Sequence, residues 1–127
     1  IYLNWTPVEL PPVLAALLMK NSGANVVSFT SDGSVILKGV LSENSNPAAS
    51  AADEFIVKNS NGIIVAVINF NTGNMNIRGR IFLIQAFLAP NSNSNFIVRD
   101  SAGNVIDYID DSGNFFLKGT LTQNGNP

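Results

Sequence analysis

Three observations in this 127-residue chain predict an all-β fold of three meander repeats, each about forty residues long, stacked as a sandwich or a solenoid-like layer. Gly33, Gly73 and Gly113 stand forty residues apart, as do Gly39, Gly79 and Gly119, with Lys38, Arg78 and Lys118 directly before the second set. Between these markers apolar residues alternate with the period of two that belongs to a strand. Phrases rich in Asn, Asp, Ser and Gly punctuate the alternation at turn spacing.

The second copy, "FIVKNSNGIIVAVINFNTGNMNIRGRIF" from Phe55, and the third, "FIVRDSAGNVIDYIDDSGNFFLKGTL" from Phe96, match closely until a one-residue length difference in their second turn. The first, "LLMKNSGANVVSFTSDGSVILKGVL" from Leu17, is looser. The division is an N-terminal arm over 1–16 and one β domain of three repeats, 17–54, 55–95 and 96–127. Each repeat reads strand, turn, strand, Gly turn, strand. "NSNG" (59–62), "DSAG" (100–103), "SDG" (31–33), "NTG" (71–73) and "DSG" (111–113) place Asx or Ser oxygens beside backbone amides and Gly where φ is positive. Connections this short join antiparallel neighbours.

In the third strands Val35, Leu37, Gly39 and Leu41 share one face, matched by Met75, Ile77, Gly79 and Ile81 and by Phe115, Leu117, Gly119 and Leu121. Lys38, Arg78 and Lys118 then point away. A glycine on the inward face admits a large neighbour or another backbone, and the expected neighbours are Phe29, Val67 and Tyr108. In the second strands Val27 with Phe29, Val65 with Val67, and Ile106 with Tyr108 form one face. Ile64, Ala66 and Ile68 make the opposite face of the middle copy apolar as well, so that sheet needs cover on both sides.

"SENSNPAASAADE" (42–54) reads as a surface loop, whereas "RIFLIQAFLAP" (80–90) prolongs a third strand with apolar residues that must pair and be buried. "IYL" (1–3) precedes "IFL" (81–83) by eighty residues, and the closing "GTLTQNGNP" copies "GVLSENSNP" eighty residues earlier. The chain thus reads as having a foreign extension at one end and an unfinished edge at the other, a pattern that predicts head-to-tail association. In the arm, Pro7, Pro11 and Pro12 exclude a central strand, yet Ile1, Tyr2, Leu3, Trp5, Val8 and Leu10 require a groove. Strand addition to a neighbouring subunit supplies one; folding back over its own core supplies the other.

Composition narrows the function. Charged residues make up 13% of the chain and hydrophobic residues 46%, with a net charge of −2. The seven basic residues are scattered singly, which excludes the electrostatic footprint of a nucleic-acid partner. The apolar run 13–19 is shorter than the roughly 20 residues of a membrane-spanning helix. An Ile start and an Asn- and Ser-rich composition point to a processed, extracellular or cell-surface protein. Without His or Cys, the common acid–base and nucleophilic arrangements are absent, and the chain is read as no enzyme, with no cofactor and no metal. Asp107, Asp110 and Asp111, with Asp100, are the one acidic cluster, a calcium or acid–base candidate set against a plain polar turn. Asn4-Trp5-Thr6 is the one acceptor triplet for N-glycosylation, at Asn4.

The phrases "FIVKNSNGIIVAVIN" and "FIVRDSAGNVIDYIDDSGNFFLKG" resemble repeat phrases of microbial surface and extracellular fibre proteins, including stalk-like segments of phage and bacterial appendages. The resemblance covers copies two and three and implies a structural or adhesive role. The expected function is therefore a subunit of a self-assembling extracellular filament, a homopolymer joined by strand addition. Its donor is the arm (Ile1, Tyr2, Leu3, Trp5, Val8, Leu10), and its receiving surface includes Ile81, Leu83 and Phe87. The alternative is a carbohydrate- or receptor-binding module of a larger, trimeric appendage, with glycans as partners.

Overall fold

The computed structural model describes residues 15–48, 54–84, 88 and 96–127, with the backbone alone at 15 and 16. The fold is all-β, and each repeat contributes four strands. These are β1 (Ala15–Asn21), β2 (Ala24–Thr30), β3 (Val35–Leu37) and β4 (Leu41–Ser42); β5 (Glu54–Lys58), β6 (Ile64–Asn69), β7 (Met75–Ile77) and β8 (Ile81–Leu83); and β9 (Phe96–Arg99), β10 (Val105–Ile109), β11 (Phe115–Leu117) and β12 (Leu121–Thr122).

The first three strands of each repeat form an antiparallel meander because the turns between them are chemically specified. After β2, β6 and β10 the amides of Thr30, Asn69 and Asp110 donate to the carbonyls of Ser34, Asn74 and Asn114 at 2.8, 2.9 and 3.0 Å. Side-chain oxygens hold the same turns: Asp32 Oδ1 accepts from the Ser34 amide, Asn69 Oδ1 from Asn71, and Asp110 Oδ1 from Ser112 and Asn114. Gly33, Gly73 and Gly113 take φ between 76° and 87°, the left-handed region where a side chain is strained.

The fourth strands decide the architecture. None of them pairs with its own meander: β4 runs parallel to β7, β8 parallel to β11, and β12 parallel to β3. The three sheets therefore have the orders β1-β2-β3-β12, β4-β7-β6-β5 and β8-β11-β10-β9. Each repeat hands its last strand to the next and the third hands its own to the first, so the pairing is cyclic. This corrects the expectation of an unfinished C-terminal edge, since Leu121 and Thr122 lie opposite Val35 and Ile36 of the same chain.

At each joint the inward glycine of one repeat meets a turn of the next. The amides of Gly39, Gly79 and Gly119 donate to the carbonyls of Gly73, Gly113 and Gly33 at 3.2, 3.2 and 3.1 Å. Beside them the amides of Val40 and Arg80 donate to Asn74 and Asn114 Oδ1, both at 2.9 Å, and that of Thr120 to Ser34 Oγ at 3.0 Å. The glycines thus admit another backbone, one of the two kinds of neighbour that their inward position allows, rather than Phe29, Val67 or Tyr108.

The expected second-strand faces also need correction. The turn bonds align Phe29 with Ile68 and Ile109, while Val67 and Tyr108 stand one position earlier on the opposite face. Matching Phe29 to Tyr108 because both are aromatic misses this offset. The inward rows are Met19, Val27, Phe29, Val35 and Leu37; Val57, Ala66, Ile68, Met75 and Ile77; and Val98, Asp107, Ile109, Phe115 and Leu117. All of these residues are buried, and those that are apolar join one core spanning the three sheets. Phe29 meets Phe96 edge-on at 5.7 Å and Phe115 at 6.3 Å, and Phe96 meets Phe55 at 5.1 Å, so rings from all three sheets interlock.

Candidate functional site

The third sheet differs from the other two on its outer face. Register places Phe82, Phe116, Tyr108 and Ile97 in one row across β8, β11, β10 and β9. Phe82 stacks on Phe116 with ring centres 5.0 Å apart, and Phe116 on Tyr108 at 4.6 Å, with interplanar angles of 14° and 17°. The corresponding rows are Ser42, Asn76, Val67 and Ile56 in the second sheet and Thr122, Ile36, Ser28 and Leu18 in the first. Only this sheet carries an aromatic ladder. Burial, reinforced by the Asp110 carboxylate, raises the Tyr108 phenol above its ordinary value and keeps it neutral.

The same sheet ends in an apolar edge strand. β8 pairs with β11 through all three residues, and the Ile84 amide extends the contact to the Leu117 carbonyl at 2.9 Å. Phe82, Leu83 and Ile84 are 39%, 49% and 44% exposed. At the matching positions stand Ser42-Glu43 and Thr122-Gln123, and the side chains of Glu43 and Gln123 serve the joints. Glu43 Oε1 accepts from the Ile81 amide at 2.8 Å and Gln123 Oε1 from the Leu41 amide at 2.9 Å. Natural sheets usually blunt such edges with charge or short strands, so an exposed apolar edge is a surface for pairing or contact.

Of the receiving residues expected from the sequence, Leu83 lies on this surface, Ile81 turns inward onto the core, and Phe87 lies outside the described residues. The proposed donor residues Ile1, Tyr2, Leu3, Trp5, Val8 and Leu10 and the acceptor Asn4 also lie outside them. Sequence reasoning missed Phe82, Ile84 and Ile97 as exposed features, the half-buried Phe116 between them, and the buried Tyr108 on which it stacks. For Phe82 and Phe116 the signal is present in the alternation of "RIFLI" and "NFFLK", where each follows an inward residue, Ile81 or Phe115, and so falls on the outward face.

The acidic cluster comes apart. Asp110 closes its own turn, with Oδ2 accepting from Asn114 Nδ2 at 3.2 Å. Asp111 reaches the first turn of the second repeat, accepting from the Ser60 amide at 3.0 Å and the Ser60 hydroxyl at 3.2 Å. Asp100 organises its own turn by accepting from the Ala102 and Asn104 amides, and the Asn104 amide leads in holding its carboxyl below the usual range. Asp107 points into the core, is fully buried, and has no hydrogen-bond partner for either oxygen. Desolvation pushes its carboxyl up to about 8; the Lys118 amide opposes this and the Asp32 carboxylate adds to it. That amide is already committed to the Ile106 carbonyl at 2.9 Å, so it acts on Asp107 only through space. Among the described residues no three acids converge on one point.

The site is thus an aromatic and aliphatic surface, suited to packing or stacking against a partner. Among the described residues no helix is long and apolar enough to cross a membrane. No family model, no curated protein and no solved structure matches this chain.

Proposed function

We propose that the chain is a structural subunit of a self-assembling extracellular or cell-surface filament whose copies join by β-strand addition. One observation carries this reading: every sheet is completed by a strand from another repeat, through joints of the same hydrogen-bond pattern. A module that builds itself by lending short strands has the chemistry to lend one between chains. The N-terminal arm takes part in the exchange as a closing strand, and the apolar edge at Leu83, with Phe82 and Ile84, belongs to the contact surface. Negative-stain microscopy across a concentration series tests it. Fibres are expected, and deletion of residues 1–12 is expected to abolish them. Particles that stay monomeric at high concentration overturn the reading.

The stacked row of Phe82, Phe116 and Tyr108 favours a second reading, a carbohydrate-binding module, because the exposed ring of Phe82, backed by the half-buried Phe116 and the buried Tyr108, suits the apolar face of a sugar. Glycan-array binding that Phe82→Ala removes, by a chain that forms no fibres, would replace the filament reading with this one.

A further inference from the structure

Three third strands, β3, β7 and β11, each accept one fourth strand, and β4, β8 and β12 fill all three. A further copy of the closing phrase stands at the front of the chain. "IYLNWTP" (1–7) aligns with "LSENSNP" (41–47) and "LTQNGNP" (121–127), sharing the apolar first residue, the Asn at 4, 44 and 124, and the Pro at 7, 47 and 127. The shared Asn has a structural use. Asn44 and Asn124 both take left-handed backbone, with φ of 50° and 52°, a conformation Asn tolerates better than most residues. From it their amides donate to the carbonyls of Gly79 and Gly39, both at 2.8 Å, and the next residues, Ser45 and Gly125, donate to Ile77 and Leu37 at 3.0 and 2.8 Å.

The register then names the seat of the front copy. Leu41 lies opposite Met75 and Ile81 opposite Phe115, each thirty-four residues on. Applied to the front copy, the same step would set Ile1 opposite Val35, Tyr2 opposite Ile36 and Leu3 opposite Leu37. It would also bring the Asn4 and Trp5 amides to the carbonyls of Gly39 and Leu37, the two acceptors that Asn124 and Gly125 occupy. The present occupant, β12, reaches that seat from the far end of the chain and holds it with a strand of two residues.

We infer that residues 1–7 and 121–127 compete for one seat on β3, and that when a chain's own 1–7 takes the seat, the released 121–127 becomes a donor strand for β3 of a second copy. The last step rests on the filament reading; the competition for the seat does not. It assigns the arm a destination on its own first sheet and makes ring closure and polymerisation alternative uses of the same edge.

The chain has no cysteine, so a single thiol trap can report the seat. In the triple variant Tyr2→Cys, Ile36→Cys and Thr122→Cys, the thiol at 36 bonds whichever strand lies beside it, because neighbouring strands lie within disulfide reach. Peptide mapping after oxidation is expected to show the 36–122 link within one chain in the monomer. In oligomers it is expected to show 36–2 links within chains and 36–122 links between chains. Locking 36 to 122 within the chain, using only that pair of substitutions, is expected to remove the oligomers. In oligomers of the unmodified chain, hydrogen exchange at the seated Asn4 and Trp5 is expected to be at least tenfold slower than in the monomer, where it matches an unstructured peptide. A thiol at 36 found only on 122 of its own chain, with Asn4 and Trp5 exchanging at the unstructured rate, overturns the inference. If that result comes from a protein that polymerises, the filament reading stands and the seat exchange alone fails. Trapping at 2 in a protein that stays monomeric at every concentration keeps the competition but overturns the release step and the filament reading.

Discussion

Asp107→Ala is expected to raise the melting temperature by roughly 10–20 °C at pH 8, with a smaller gain at pH 4. The carboxyl replaces Val27 and Ala66 of the other repeats on the inward face, where it is fully buried and neither oxygen has a partner. Alanine restores the residue that the second repeat already accommodates. The sign of the pH dependence follows from proton binding. The folded carboxyl is raised to about 8 from an ordinary 3.8. Between those values the unfolded chain is ionised while the folded chain still holds its proton. The folded state binds more protons there, so stability falls as pH rises through that window and levels off above it. A shift this large corresponds to stability on the order of 5 kcal/mol across the window. Below the window the acid is neutral in both states, and what remains is the cost of an unpartnered polar group, about 1–3 kcal/mol. Asp32 and Asp100 act with the opposite sign: their carboxyls are held low, Asp32 chiefly by the Thr30 hydroxyl and Asp100 chiefly by the Asn104 amide. The stability they contribute is present above about pH 4 and lost as pH falls further. Thermal melts from pH 3 to 9 should therefore place the wild-type optimum on the acid side and show Asp107→Ala nearly flat above pH 5. A wild-type curve that rises toward pH 8 contradicts the buried acid.

Gly39→Ala is expected to cost about 3 kcal/mol or more and to lower the urea midpoint accordingly. A Cβ at this position would stand 2.7 Å from the Asn74 amide nitrogen and 2.8 Å from the Gly73 carbonyl carbon, and would also press on Asn74 Oδ1. Backbone cannot yield as a flexible side-chain tip does, so the joint between the first and second repeats must open. Opening it strains both the Gly39–Gly73 bond and the Val40–Asn74 bond. Gly62→Ala is the control. Its added Cβ meets nothing within 4 Å, and its cost comes from a φ of 80° alone, about 1–2 kcal/mol. Equal midpoints for the two variants would show that the joint is not tightly packed.

The two substitutions probe features of unequal legibility. The glycine was visible as a repeated word with a packing reason, although its partner was misnamed. Asp107 was visible only as one member of an acidic cluster, because nothing in "VIDYIDDSG" distinguishes a carboxylate in the core from those in a turn. Its position becomes clear once the turn bond from Asp110 to Asn114 sets the register of β10. Leu83 belongs to a run that the sequence marks for pairing and burial; it pairs with Leu117 but stays 49% exposed at the sheet edge. Ile81 was grouped with it because a run such as "RIFLI" does not say which of its residues turns inward until β11 is beside it.

What the amino-acid order determined by itself is local. The forty-residue period, the alternation in the third strands, and the Asx and Gly turns specify three meanders without reference to anything distant, because each rests on contacts within a few residues. What only the tertiary structure decided is which strand completes each sheet. A two-residue strand such as β12 carries almost no periodic signal. Its partner lies eighty-six residues earlier, and the choice is made by the shape of the joint, with backbone laid against glycine and an Asn or Ser oxygen capping the next amide.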